Sequence, residues 1–304
     1  MRRGDAPAGE LVIELAAPLD LRRTLAPLAH GRGDPTIQLA ANEAWLAHRT
    51  PAGAAALHLA LVSRGRLRAR AWGTGTDAAL DGVGELVGLS DAPEALVPRH
   101  AVLRDLQRQF VGLRLPRTRR AFDALLPAIL EQKITGTEAR RVYRALLARY
   151  GQPSPGPFEL RLPPAASVLA ALPYYAFHPL GLERRRAEVI RGVARVGERM
   201  DASFSSERLR RLLLMLPGVG SWTAAEVLRV AHGDPDAVSV GDFHIPNLVA
   251  WALAGEARAD DDRMLELLEP YRGQRGRVQR LLEVSGIRVP RFGPRLAPRR
   301  IAAI

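Results

Sequence analysis

Two short stretches of the chain carry residue types and spacings that can do chemistry. The first is LPGVGSWTAAEV, residues 216–227, where Gly218 and Gly220 stand one residue apart between two apolar runs, 208–216 and 222–233. Glycines at that spacing allow positive φ and a close backbone approach, while Val219 between them can anchor the turn. Ser221 or Thr223 can cap the run that follows. The amides at the start of that run then point outward, where a helix N-terminus favours an anion such as phosphate. The same letters also suit a plain joint between two helices. The second stretch is VGDFH, residues 240–244, which places Asp242 after a glycine and ahead of the run FHIPNLVAWALAG. As a helix N-cap that aspartate is worth about 1 kcal/mol. Beside a phosphate-gripping turn, however, a carboxylate opposes simple anion binding and requires another use. Cleavage of an N-glycosidic bond supplies one, because the departing base leaves an oxocarbenium-like centre on the sugar. One opposite charge about 4 Å away, at an effective dielectric near 20, is worth about 4 kcal/mol. That corresponds to roughly a thousandfold in rate. Asp242 can also orient or deprotonate the attacking water.

Around these stretches the spacing predicts two kinds of architecture. Residues 10–15, 43–49, 56–62 and 66–72 are short and largely alternating, as half-buried strands are, with helical spacing at 19–30 and 76–89. That order predicts an α+β N-terminal domain over 1–92, a small antiparallel sheet with helices. From 93 to 284 the pattern turns helical, with apolar three-to-four spacing near 99–111, 119–131, 136–150, 182–200, 206–215, 222–232, 243–253, 261–269 and 274–284. The proline-rich 151–164 reads as a loop. The helix, glycine turn and second helix around residue 218 are the pattern of a helix-hairpin-helix. Residues 285–304 form a basic C-terminal tail with five arginines and no acid; such tails contact phosphate about as often as they are merely solvated.

The composition bounds the partners. With 304 residues, 47% hydrophobic and 25% charged, the chain suits a globular protein with a sizeable core. The formal charge of +12 and a sequence pI near 11.2 point to nucleic acid or an anionic surface. Lys133 is the one lysine, so the arginine excess reads first as the codon bias of a GC-rich genome and only weakly as phosphate recognition. Without cysteine there is no disulfide, thiolate zinc site or cysteine-ligated iron–sulfur cluster. No apolar run approaches the length of a membrane span, and the first residues lack an apolar signal core, which predicts a cytoplasmic protein of the bacterial nucleoid.

LPGVGSWTAAEV and SVGDFH together resemble the helix-hairpin-helix DNA glycosylases, in particular the 3-methyladenine DNA glycosylase II branch. The likeness extends to AFDALLPAILEQKITGTEARRVYRALLARYG (121–151), LGLERRRAEVIRGVAR (180–195), LLEPYRGQRGRVQRLL (267–282) and the N-terminal α+β segment. The resemblance implies base flipping and excision from double-stranded DNA by a monomer, with Asp242 as the catalytic aspartate and the amides around Gly218, Gly220 and Trp222 as a phosphate grip. It implies no required cofactor, and a sodium or potassium ion on the carbonyls of Leu214, Leu216 and Val219. Bifunctional relatives carry a Schiff-base lysine where this chain has Trp222. A tryptophan forms no imine, so the resemblance implies a monofunctional enzyme without AP-lyase activity.

Trp222 then matches an aromatic lining the base pocket, where its π-face attracts a cationic methylated purine; packed between helices, it is a core residue instead. Gln132 and Lys133 fall in the loop that probes the duplex, although Lys133 departs from an apolar wedge and suits a solvated position equally. Glu226 is a further departure: it either meets the damaged base or closes a capping box with Thr223. Phe243 and Tyr271 are expected as pocket walls or as core. The implied substrates are alkylated purines of the 3-methyladenine and 7-methylguanine type. The alternatives are a glycosylase for a deaminated, oxidised or cross-linked base, and a non-catalytic DNA-binding protein in which Asp242 only caps a helix.

Overall fold

A computed structural model describes residues 6–197, 200 and 204–290. Alternation in the first part of the chain is resolved as an antiparallel sheet of five strands: β1 (Gly9–Glu14), β2 (Ile37–Leu39), β3 (Glu43–Thr50), β4 (Gly53–Ser63) and β5 (Arg66–Trp72), in the order β1-β5-β4-β3-β2. Leu46, Leu57, Leu59 and Leu67 project from one face onto Leu21 and Leu25 of α1 (Leu21–Leu25) and onto Val83 and Leu86. The helical pattern at 76–89 breaks at Gly82 into α2 (Thr76–Asp81) and α3 (Val83–Leu86). The pattern at 19–30 shortens in the same way, α1 passing into a 3-10 turn over Ala26–Leu28.

The remaining helices are α4 (Ala101–Gln109), α5 (Ala121–Glu131), α6 (Gly136–Tyr150), α7 (Ala166–Ala171), α8 (Arg184–Gly197), α9 (Ser206–Leu214), α10 (Ser221–Ala231), α11 (Ile245–Ala254), α12 (Asp261–Leu268) and α13 (Arg275–Val284). They enclose two apolar cores. One is built by Leu125 and Ile129 of α5, Leu146 of α6, Ile190 of α8, Leu213 of α9 and Val227 of α10. The other is built by Leu103 of α4, Val249 of α11, Met264 and Leu268 of α12 and Val278 of α13. Helix α10 therefore belongs to the first core and α11 to the second, and the chain between them, including Asp242, crosses the seam.

The stretch read as a loop, 151–164, carries a two-strand ladder, β6 (Gln152–Pro153) with β7 (Arg161–Leu162). Its Phe158 lies against Trp45 on the far face of the sheet, with ring centroids 3.7 Å apart. The strand β2, the helix α7 and a 3-10 segment over Tyr174–Leu180 are additions to the sequence reading; each is too short or proline-interrupted to show a period. Most of the basic tail, from residue 291 onward, lies outside the described residues.

The sheet segment is tied to the helices by charge as well as by packing. Asp91 and Arg277 of α13 form a buried ion pair, and Asp91 Oδ2 also accepts the Leu115 amide at 2.9 Å. Removing one partner of such a pair strands a buried charge, which costs about 3–5 kcal/mol. Asp91→Ala is expected to lower unfolding stability by about that amount in urea titration, and a loss under about 1 kcal/mol would contradict a structural role for the pair.

Candidate functional site

Helix α9 ends at Leu214 and the chain turns into α10 through residues 215–220. Gly218 sits at φ +84°, and a Cβ there would stand 2.4 Å from Cγ2 of Val189 in α8, so handedness and space both require glycine. Gly220 departs from the expected positive φ: it is extended, at φ −98°, and no atom lies within 4 Å of where its Cβ would be. It is the N-cap of α10, and no side chain caps the helix. The two residues expected as caps are engaged elsewhere. Ser221 Oγ donates to the Val240 carbonyl at 3.3 Å, and the Thr223 hydroxyl accepts from Gln132 Nε2 at 2.9 Å. The start of α10 thus offers backbone N–H groups beside open space, an arrangement that favours an anion.

Gln132 follows the last residue of α5, and its Nε2 also donates to the Gly218 carbonyl at 2.9 Å. Its own carbonyl accepts from Arg186 Nη2 at 2.6 Å. The loop is thereby fixed to the hairpin and to α8 together. Lys133 is exposed, with a left-handed backbone at φ +54°, a conformation that is strained for a residue with a side chain. Thr135 then caps α6, accepting from the Glu138 amide at 3.3 Å.

Asp242 is held from three directions. Its Oδ1 accepts from the His244 amide at 2.7 Å and the Ile245 amide at 3.0 Å. Its Oδ2 accepts from Trp222 Nε1 at 3.0 Å. One oxygen therefore does the work of a cap at the start of α11, and the other reaches the hairpin helix. The preceding Gly241 has φ +94°, and its amide donates to both carboxylate oxygens of Asp261, at 3.0 Å each. Asp261, at the start of α12, went unnoticed in the sequence because the link spans separate elements. Helix α11 begins at Ile245 rather than at residue 243.

Glu226 does not close the capping box. Its carboxylate lies against Arg229 Nη1, at 2.9 Å, and the buried Ser239 hydroxyl. Arg229 Nη2 bonds Glu283 of α13 at 2.6 Å, and Gln279 Nε2 donates to both Ser239 Oγ and Glu283 at 2.8 Å. Burial opposes the charge on Arg229, yet Glu283 and Glu226 hold it protonated above its ordinary range. Burial likewise pushes Glu283 up, and Arg229 with Arg280 outweighs that and holds it below the usual carboxylate value. The structure therefore makes Glu226 part of a half-buried ionic link between α10 and α13.

The two residues expected as pocket walls are placed differently. Tyr271 is 3% exposed in the second core, its hydroxyl accepting the amides of Arg99 and His100 at 3.3 and 3.2 Å. It is a core residue, held there by its one polar atom. Phe243 is 81% exposed, its ring edge-on to His244 with centroids 5.0 Å apart. Of the carbonyls expected to hold a monovalent cation, Leu216 accepts the Val219 amide at 3.0 Å and keeps its second lone pair. Neutral oxygens of this kind, at Leu214, Leu216 and Val219, suit a hard cation.

One nearby carboxylate was not anticipated. Glu131 ends α5, next to Gln132, and burial first and then the negative charge of Glu226 push its acid up to about 7, with Arg140 opposing and Asp242 adding to the rise. His30 Nδ1 lies 3.9 Å from it, and the His30 ring meets Tyr143 edge-on with centroids 5.0 Å apart. No short-range signal marks Glu131 in the sequence, since His30 and Asp242 lie on distant segments.

In architecture the chain has the fold of the helix-hairpin-helix DNA glycosylases. A 3-methyladenine DNA glycosylase from Archaeoglobus fulgidus superposes with a TM-score of 0.75 at 19% identity, over 90% of this chain and 97% of that one. An 8-oxoguanine glycosylase/lyase from Clostridium acetobutylicum, in complex with double-stranded DNA, gives 0.67 at 12% identity over 90% and 96%. In sequence, a probable bifunctional transcriptional activator/DNA repair enzyme AlkA of Mycobacterium tuberculosis is 29% identical over 164 residues. That match covers 52% of this chain and 33% of the relative, so the chain spans about a third of the curated relative's length. No family model matches the chain. Among the described residues, no helix is long and apolar enough to cross a membrane.

The rise at Glu131 has a signed consequence for stability. The unfolded chain releases this proton near 4.5 and the folded chain near 7, so the folded state loses stability as pH climbs between those values. Glu131→Gln removes that loss. Its melting temperature relative to the parent protein is expected to rise from pH 4.5 to 7 and then to hold a constant gap. A gap that shrinks with pH contradicts the placement of the carboxylate.

Proposed function

We propose that the chain is a monofunctional DNA glycosylase that excises alkylated purines, of the 3-methyladenine and 7-methylguanine type, from double-stranded DNA. The observation that carries this is the bond from Trp222 Nε1 to Asp242 Oδ2, which fixes a carboxylate to the first turn of an uncapped hairpin helix. The related folds described above belong to proteins named as DNA glycosylases, which supports the same reading.

The backbone N–H groups at the start of α10 grip a phosphate without reading sequence, while the loop at Gln132 and Lys133 approaches the duplex. A damaged nucleotide leaves the stack at a cost of a few kcal/mol, less where pairing is already weakened. A methylated purine carries positive charge, so its bond to the sugar breaks without strong acid, and the electron pair goes to the base. Positive charge then develops at C1′. Asp242 stabilises it with its remaining lone pairs, and water completes the abasic site, passing its proton to the carboxylate. Trp222 offers its π-face to the cationic base and has no amine with which to form an imine. The carbonyls of Leu214, Leu216 and Val219 would hold a sodium or potassium ion that braces the hairpin. We further propose that the enzyme acts as a monomer in the cytoplasm, at the nucleoid.

Asp242→Asn is expected to reduce release of 7-methylguanine from methylated duplex DNA about a thousandfold, matching the loss of one charge near C1′. Binding to an abasic-site duplex should fall far less than release, since the phosphate-gripping groups are backbone amides of α10. Full turnover by Asp242→Asn would sink the mechanism, and trapping of the protein on DNA by borohydride would sink the monofunctional assignment.

A further inference from the structure

Between the 3-10 turn at Ala26–Leu28 and β2 the chain places an arginine between two glycines, Gly31-Arg32-Gly33, and both glycines are left-handed, at φ +89° and +75°. Asp34 closes this loop on itself. It is buried; its Oδ2 accepts the His30 amide at 2.7 Å, and its Oδ1 accepts the Thr36 amide at 2.8 Å and the Thr36 hydroxyl at 2.7 Å. The closed turn lies on α6. A Cβ at Gly31 would stand 2.0 Å from Cδ of Arg140, and Arg144 Nη1 donates to the Arg32 carbonyl at 3.2 Å. Arg140 then reaches back to the start of α6, with Nη2 3.4 Å from the Thr137 hydroxyl and Nη1 3.1 Å from where a Cβ of Gly136 would be. Lys133 precedes that start, in the loop that Gln132 ties to Gly218 and Thr223 of the hairpin. Four cations therefore line one path from the hairpin to the sheet domain. Arg32, Arg144 and Lys133 are exposed and Arg140 is half-buried. Among the described residues none of the four has a carboxylate within salt-bridge distance, whereas the exposed arginines Arg23, Arg66 and Arg272 each have one. Asp34 is spent within the turn, and Glu131 faces Arg140 without pairing to it. Arg140 and Arg144, four apart on one helix face, repel each other unless an anion lies against both.

We propose that Arg32, with Arg140 and Arg144 beneath it on α6, holds backbone phosphates of the duplex, so that the α+β domain is itself part of the DNA interface. This rests on the glycosylase reading above and extends its strand contact beyond the hairpin. A duplex presents one negative charge for about every 1.7 Å of its axis, so a strand gripped at the start of α10 and probed at Lys133 has further phosphates to offer α6. A guanidinium takes a phosphate in a two-pronged fork, which the compact ammonium of a lysine does not. The turn is ordered before any ligand arrives, because Asp34 and Arg144 already fix the backbone on both sides of Arg32. Binding there costs the ordering of one side chain rather than of a loop. Contacts of this kind set position on the duplex and read neither sequence nor lesion.

The test measures binding of the full chain to an undamaged duplex and to an abasic-site duplex over a range of salt concentrations. Arg32→Ala should lower the slope of log affinity against log salt by about 0.9, the counterion release of one phosphate. It should weaken both duplexes alike, by about tenfold at about 0.1 M salt. Arg144→Ala should lower the slope by a similar amount, and Arg32→Lys, which keeps the charge, should preserve it. Arg64→Ala removes an equal charge from the exposed turn between β4 and β5 of the same domain and should leave the slope unchanged. An Arg32→Ala slope equal to that of the parent protein overturns the assignment. So does an equal fall in Arg64→Ala, which would reduce the effect to net charge, and so does a loss confined to the abasic-site duplex. A parent protein that releases no methylated purine, yet loses slope in Arg32→Ala, sinks the glycosylase reading and leaves the phosphate contact standing.

Discussion

The geometry around Asp242 depends on a half-buried guanidinium held between two helices. Arg229 of α10 lies between Glu226 on its own helix and Glu283 on α13, and Ser239 and Gln279 complete the network. Because α10 packs in one apolar core and α13 in the other, this link joins the two. Ser239 belongs to the strand of chain leading to Asp242, and its amide donates to Gln279 at 3.0 Å. The network therefore fixes the approach to the carboxylate, the start of α10 and the position of α13 together. Removing one charge from such a cluster leaves others uncompensated, so its members act as a unit.

Local patterns in the sequence translated into structure where one element contains the whole signal. The periods at 136–150, 206–215, 222–232 and 261–269 became α6, α9, α10 and α12 with small end shifts, because an amphipathic face is written within each run. The glycine turn and the aspartate were legible for the same reason. Side-chain roles were less legible. Thr223 and Glu226 satisfy a capping box by spacing, yet Gln132 and Arg229 compete for them from other parts of the fold and win. Tyr271 and Phe243 look alike as candidate pocket walls. What separates them is the peptide at Arg99 and His100, which holds one hydroxyl in the core, a contact across much of the chain. Glu131 shows the reverse case, an unremarkable helix-end glutamate given its character first by burial and then by the charge of Glu226.

The structure shows which partners Asp242 holds. The two oxygens divide: one holds the opening amides of α11, the other the indole of Trp222. A carboxylate has about four lone-pair directions, so these three bonds leave room for another partner. The three bonds also limit rotation of the carboxylate.

That division closes the position to chemical drift. Every group facing the two oxygens is a donor, so any replacement must present acceptors on both sides. An asparagine must turn its NH2 either toward two backbone amides or toward the indole, and one of those meetings sets hydrogen against hydrogen. A serine reaches only one side. A glutamate carries the charge but moves it a methylene farther along the chain. Aspartate alone satisfies the backbone, the aromatic ring and the charge together, so losing the carboxylate at this site also loosens the fold around it.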